Sequence, residues 1–398
     1  MKTKTGFGLS LAMLAAGGCT TTVNNNYAED APAHSVAATA PADGASAAQL
    51  LRPFYARLAR QTQMPAMKSP ALDMAQPLSR IAFGSCNHQG RSQDVWARIS
   101  ATDPDLFLAI GDNVYGDYGY RGGAELGSFQ AAYRQQAAYP EFQRFMAAKP
   151  VFATWDDHDF GPNDSGGSFF AREWSETLFE TFWNVPQPVR ERPGIYHSMM
   201  TGPEGQRTQI IMLDTRFFRS DLAEKPYSEE RYPLGLYRPN TDPDATVLGE
   251  EQWRWLQGEL AKPADLRVLV SSIQVLTNAH DFEAWENFPL QREKLFEMLA
   301  GREESGLVML SGDRHSGAVY SDEPAALGER AWELTSSSLN LAFVRDDASE
   351  REPDPLRMTD MITQENFGLV DIDWNERHVH LRLLDDEGAE ILSRQVAF

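Results

Sequence analysis

The sequence predicts an α/β fold, one large domain of stacked sheets whose strand C-termini converge on a single site. Three observations predict it. From Leu78 onward, short apolar runs alternate with stretches of helical spacing, and after Ala331 the pattern turns to strand-like runs. Four apolar runs lead into polar clusters: Gly84-Ser85-Cys86, Gly111-Asp112-Asn113-Val114-Tyr115, Trp155-Asp156-Asp157-His158-Asp159 and Gly312-Asp313-Arg314-His315. Burying thiol, carboxylate, phenol and imidazole together is costly unless shared cations supply the missing charge. The pattern therefore points to metal-dependent hydrolysis.

Residues 47–61 have the composition of one helix, and 64–77 are irregular, broken by Pro65, Pro70 and Pro77. The apolar runs 81–84, 106–110 and 151–154 read as strands, with helices over 92–100, 129–139 and 141–148 between them. In 168–184, Phe170, Trp174, Leu178 and Phe182 recur at helical spacing. Strands are expected over 194–200 and 209–215, then a long loop over 217–244. The helix 249–260 places Trp253, Leu256 and Leu260 on one face and is stopped by Pro263. Strand 268–272, helix 290–300 and strand 307–311 come next, and the tail adds strands over 331–336, 368–374, 379–384 and 390–396. No internal repeat is visible.

Length and composition narrow the function. The 398 residues include nine Trp and are 42% hydrophobic, which fits a globular protein. A net charge of -21 opposes nucleic-acid binding and suits a soluble protein that attracts divalent cations. Lys2 and Lys4, an apolar stretch over 7–16 and Ala16-Gly17-Gly18-Cys19 form a signal of lipoprotein type. The expected organisation is a signal peptide over 1–18, a tether and irregular segment over 19–77, and a catalytic domain over 78–398. The protein is then exported to the bacterial periplasm or cell envelope and held on the membrane by a lipid on Cys19. An ordinary secretory signal is the alternative. Cys86 is left without a disulfide partner, as a buried apolar side chain or a metal ligand.

Each cluster has a plain alternative when taken singly. Asp112 can be a turn aspartate, and 156–159 a solvated acidic loop. An EF-hand fails there, because counting from Asp157 places Ser168 at position twelve. A phenolate at Tyr115 suggests a hard trivalent ion such as iron. Asp313 and His315, two apart, face the same side of an extended segment. Neither a Gly-x-Ser-x-Gly elbow nor a phosphate-binding Gly-x-x-x-x-Gly-Lys loop is present.

In order and spacing these motifs resemble the alkaline phosphatase D, or PhoD-like, branch of the calcineurin-like metallophosphoesterases. Leu213-Asp214-Thr215-Arg216 and Ser336-Ser337-Ser338 extend the match. The resemblance implies a metallophosphoesterase-type sandwich of two mixed β-sheets flanked by α-helices, with the metal site at the strand C-terminal ends. It implies Fe3+ and Ca2+, other divalent metals being alternatives, and hydrolysis of small-molecule or lipid phosphomonoesters and phosphodiesters by a metal-activated hydroxide. Cys86, Asp112 and Tyr115 become ferric ligands, with Asp112 bridging to a second metal. Asp157, preferred over Asp156, joins Asn163, Asp313 and His315 to complete the set. His158 becomes the acid or a phosphate-contacting group, and Arg216 and Arg292 are candidates for phosphate contact or structural salt bridges. The competing readings are a phospholipase-type phosphodiesterase at the membrane and a non-catalytic surface lipoprotein that keeps the fold.

Overall fold

The computed structural model describes residues 46–226, 235–302 and 306–398. The signal segment, Cys19 and the polar stretch before Ser46 lie outside the described residues. In chain order the strands are β1 (Arg80–Gly84), β2 (Leu106–Ile110), β3 (Val151–Thr154), β4 (His197–Thr201), β5 (Thr208–Met212), β6 (Ala223–Glu224), β7 (Tyr237–Arg238), β8 (Leu266–Val270), β9 (Gly306–Ser311), β10 (Ala318–Asp322), β11 (Ala331–Thr335), β12 (Asn366–Asp373), β13 (His378–Asp385) and β14 (Glu390–Ala397). Two six-stranded sheets run in the orders β14-β13-β12-β1-β2-β3 and β10-β11-β9-β8-β5-β4. β6 and β7 form a separate ribbon inside the stretch expected to be loop.

Both sheets are mixed in the same way. β1, β2 and β3 are parallel, as are β5, β8, β9 and β11, while the hairpins at the margins are antiparallel. Parallel strands are covered on both faces and so read as unbroken apolar runs; every residue of β2, β5, β8 and β9 is buried.

Alternation along each strand divides the core. Ile81, Phe83, Leu106, Leu108 and Ile110 pack against Ile210, Met212, Val268, Val270, Val308 and Leu310 between the sheets. Their neighbours Ala82, Phe107 and Ala109 turn outward onto Trp96, Phe145 and Phe182. On the other sheet Ile211, Leu269 and Met309 turn onto Trp253, Leu256 and Leu295. Each Val, Leu, Ile, Phe or Met side chain among them contributes about 1.5–3 kcal/mol on burial. The result is helix, sheet, sheet, helix, as the resemblance implies.

The helices α1 (Ala47–Gln61), α2 (Val95–Ala101), α3 (Gly127–Ala137), α4 (Pro140–Ala148), α5 (Asp157–Phe160) and α6 (Arg172–Phe182) lie in the first half. α1 starts at a capping box of Ser46 and Gln49. It is docked onto α6: Arg52 makes bidentate hydrogen bonds to Glu173, and Tyr55 stacks on Trp174 with centroids 5.9 Å apart. The irregular segment after it is also fastened, with Met67 N donating to Phe182 O at 2.7 Å. Packing of the domain thus begins before Leu78. The prolines preclude regular structure there without preventing burial of Met64 and Met67 against the helical core.

Candidate metal centre

The parallel strands of both sheets point their C-terminal ends the same way, and four of them run directly into the polar clusters. β1 leads into Cys86, β2 into Asp112 and Tyr115, β3 into Asp156 and α5, and β9 into Asp313 and His315. The chain turns sharply as it leaves these strands. Cys86 (φ 58), Asp112 (φ 50), Asp313 (φ 67) and His315 (φ 50) all adopt the left-handed conformation. Non-glycine residues avoid it, and such strain gathers at functional sites. Gly111, at φ 120, is required for a second reason, since a Cβ there would lie 2.6 Å from the Cβ of Asp156.

Four groups of donor atoms among the described residues lie close enough to hold cations. Cys86, Asp112 and His315 form one, Asp112, Asp157 and His158 a second, Asp156, Asp157 and Asp313 a third, and Asp157, Asp164 and Glu283 a fourth, each with donor atoms within 4.8 Å of one another. Asp112 is common to the first two and Asp157 to the last three. Asp112 Oδ2 lies 3.4 Å from Cys86 Sγ and accepts from Tyr115 OH at 3.3 Å. Tyr115 OH lies 3.4 Å from His315 Nε2. His315 Nδ1 donates to Leu341 O at 2.5 Å, which leaves Nε2 as the bare acceptor facing the cluster. Ser337 Oγ accepts from His315 N at 2.8 Å and lies 2.9 Å from Cys86 Sγ, so its hydroxyl hydrogen is free to point at the sulfur.

The electrostatics show what this centre lacks. Burial pushes the carboxyls of Asp112 and Asp313 well above their usual range. Burial raises Asp156 to about 7, against the pull of Arg216. The Cys86 thiol and Tyr115 phenol are also pushed up by burial. Asp156 Oδ2 is buried and has no hydrogen-bond partner among the described residues. A cation cures all of these at once, by neutralising the acids and displacing protons from sulfur and phenol. The donor set fits two kinds of ion. Sulfur, imidazole and phenol around Cys86 suit a transition metal, and the carboxylates around Asp157 suit a hard oxygen-seeking cation.

The family model for PhoD-like phosphatases matches residues 81–383. The chain belongs to the PhoD-like phosphatase family. Alkaline phosphatase D of Bacillus subtilis (strain 168) is 25% identical over 290 residues, which are 62% of this chain and 47% of that protein. The chain thus spans about half the length of this curated relative. A solved structure of PhoD aligns with a TM-score of 0.60 at 19% identity, over 83% of this chain and 73% of that one, which is a likeness of fold.

Within this PhoD-like frame the structure brings together Cys86, Asp112, Tyr115, Asp156, Asp157, His158, Asp313 and His315. Burial works against a charge on His158, and Asp157, Asp112 and Asp117 overcome it, holding the imidazole well above its usual range. Asp156 and Asp157 divide their work. Asp156 Oδ1 accepts from Arg216 Nε at 2.6 Å and Ser272 Oγ at 2.7 Å, and Asp157 belongs to the second, third and fourth groups.

Three other sequence candidates take different places. Asn163 is exposed and makes no hydrogen bond among the described residues. Its neighbour Asp164 is the one turned inward, near Asp157 and Glu283. Arg216 is fully buried and ion-paired with Asp156 and Glu283, so it anchors an acid and has no free face for phosphate. Arg292 pairs with Glu286 and Leu276 O, outside the cluster.

Two residues that touch the cluster carry no signal in the sequence motifs: Asp117, whose Oδ1 accepts from His158 Nδ1 at 2.8 Å, and Glu283, which pairs with Arg216. Asp117 comes five residues after Asp112 and is within reach of inspection. Glu283 sits in a loop after β8 with no motif around it.

Proposed function

We propose that this protein is a metal-dependent phosphoric ester hydrolase acting on phosphomonoesters and phosphodiesters of small molecules or lipids. The observation that carries the reading is the position of Asp112, whose carboxylate groups with Cys86 and His315 on one side and lies beside Asp157 on the other. A carboxylate placed between two donor sets is what a two-metal phosphoesterase needs. Cys86, Tyr115, His315 and Asp112 would hold Fe3+, and Asp112, Asp157, Asp156 and Asp313 would hold Ca2+. When bound, the metals supply Lewis acidity toward the phosphoryl oxygens and lower the pKa of a coordinated water.

The chain's own residues do the rest. His158, held through Nδ1 by Asp117, presents Nε2 as the proton donor to the leaving oxygen. Arg216 and Ser272 fix Asp156, and Leu341 O fixes the ring of His315. The test is elemental analysis of protein purified without chelators, paired with a panel of monoester, diester and lipid substrates. A fully metallated protein that turns over none of them refutes the reading. Export and lipid attachment at Cys19 belong to the same proposal and rest on residues 2–19 alone. Labelling with radioactive palmitate, abolished by Cys19→Ser, is the expected result.

The geometry carries two more expected outcomes. Chelation is expected to remove activity and lower thermal stability, because ions that bind only the folded state add about 2.7–4 kcal/mol at 100–1,000 times their Kd. Calorimetry with and without chelator measures the loss, and an unchanged transition counts against the centre. Asp117→Asn is expected to lower kcat about tenfold to a hundredfold with KM nearly constant, since proton transfer loses its oriented donor. An effect confined to KM would give Asp117 a binding role instead.

A further inference from the structure

Exposed apolar side chains gather at the mouth of the centre. Phe343 is 63% exposed and Val344 76% exposed, more than any other large hydrophobic residue described. The ring of Phe343 stacks on that of His315 with centroids 4.2 Å apart. Tyr118, 54% exposed, stands edge-on to His158 at 5.7 Å and lies 5.2 Å from Tyr115. His88 packs against both tyrosines, at 5.2 Å and 5.3 Å. A chain of ring contacts therefore runs from Phe343 through His315, Tyr115 and Tyr118 to His88, and two of its members, His315 and Tyr115, belong to the cluster itself.

The exposure is held in place. The segment bearing Phe343 is tied on one side by His315 Nδ1 donating to Leu341 O. On the other, Arg345 N donates to Thr363 Oγ1, whose hydroxyl donates back to Arg345 O, both at 3.1 Å. Rings fixed in this way lose little freedom when a ligand packs on them, so their area converts well into affinity. A pinned, water-facing apolar surface marks a recognition site.

We infer that Phe343 and Tyr118 form a subsite for the alcohol portion of the ester, selecting substrates that carry an aromatic ring next to the ester oxygen. The inference rests on the phosphoesterase reading and adds the substrate class. Phe343 lies directly on His315, so a ring close to phosphorus meets it, whereas a polar alcohol such as glycerol would leave it wet. The aromatic faces favour a flat partner, through offset or edge contacts. An anionic membrane surface is the poorer match, since the net charge of -21 repels it.

The test is calorimetric binding of phenylphosphonate and methylphosphonate, neither of which is hydrolysed, to the metal-loaded protein. The wild type is expected to prefer phenylphosphonate about tenfold. Phe343→Ala is expected to bring the ratio close to one, Tyr118→Ala to lower it, and Phe343→Leu to fall between. A structural role for Phe343 through His315 would weaken both ligands and keep their ratio, which overturns the proposal. A ratio near one in the wild type overturns it too, including when Phe343→Ala releases the protein from neutral lipid vesicles. A selective protein that hydrolyses neither phenyl phosphate nor glycerol phosphate keeps the subsite and loses the esterase reading.

Discussion

Asp112→Asn is expected to lower kcat/KM for an aryl phosphate by at least about a thousandfold, because one side chain serves two donor groups at once. Its Oδ2 faces Cys86 and Tyr115, and its Oδ1 accepts from the backbone N of His158 at 3.3 Å. The amide keeps the shape and loses the negative charge that balances two cations, so metal content is expected to fall with activity. Stability should move in the opposite sense when metal is absent. Burial already opposes a charge on Asp112, with His158 relieving it and Asp157 and Asp156 adding to it. A neutral amide removes that penalty, and the metal-free variant is expected to melt no lower than the metal-free wild type. Elemental analysis, calorimetry and kinetics on the same preparation check all three. Wild-type turnover with full metal content would remove Asp112 from the centre.

The physics of each element decides how much of the molecule is legible in its sequence. The interior strands can be read because parallel strands buried on both faces are apolar throughout, as in Leu106–Ile110 and Leu266–Val270. β10 escapes such a reading because Ala-Val-Tyr-Ser-Asp has only two large apolar residues and gains its strand character by pairing with β11. The acidic cluster at 156–159 reads as a loop, yet Asp157–Phe160 is a helical turn. At its N-terminus Asp156 N donates to Asp159 Oδ1 at 2.6 Å. The candidate ligands can be named because they come within a few residues of their strand ends. Partners that act through side chains on separate loops, such as Asp117 on His158 or Glu283 on Arg216, leave no spacing to read. Asn163 and Asp164 are adjacent, and only the backbone turn decides which of them faces inward. Asp164 does, at φ 55, with its N donating to Asp157 Oδ2 at 2.7 Å.

Arg216 offers the other large effect, and the sign of its role turns on it. The side chain is wholly buried, with Nε donating to Asp156 Oδ1 at 2.6 Å and Nη1 to Glu283 Oε2 at 2.6 Å. Replacing it with Met keeps the volume and strands two acids in a dry interior. Breaking a buried pair in this way costs about 3–5 kcal/mol. Glu283 keeps part of its compensation from Arg219, whose Nε lies 3.0 Å from Oε1, so Asp156 bears most of the loss. Adding Glu283→Gln to Arg216→Met is therefore expected to recover part of the stability, a non-additivity that identifies the coupled pair. Arg216→Lys should rescue poorly, because a single ammonium cannot reach both acids in the fork geometry of the guanidinium. Urea unfolding of the wild type, Arg216→Met, Glu283→Gln, the double variant and Arg216→Lys measures these differences. If Arg216→Met unfolded like the wild type while losing turnover, the arginine would be a phosphate-binding group after all, and its burial between two acids would need another explanation.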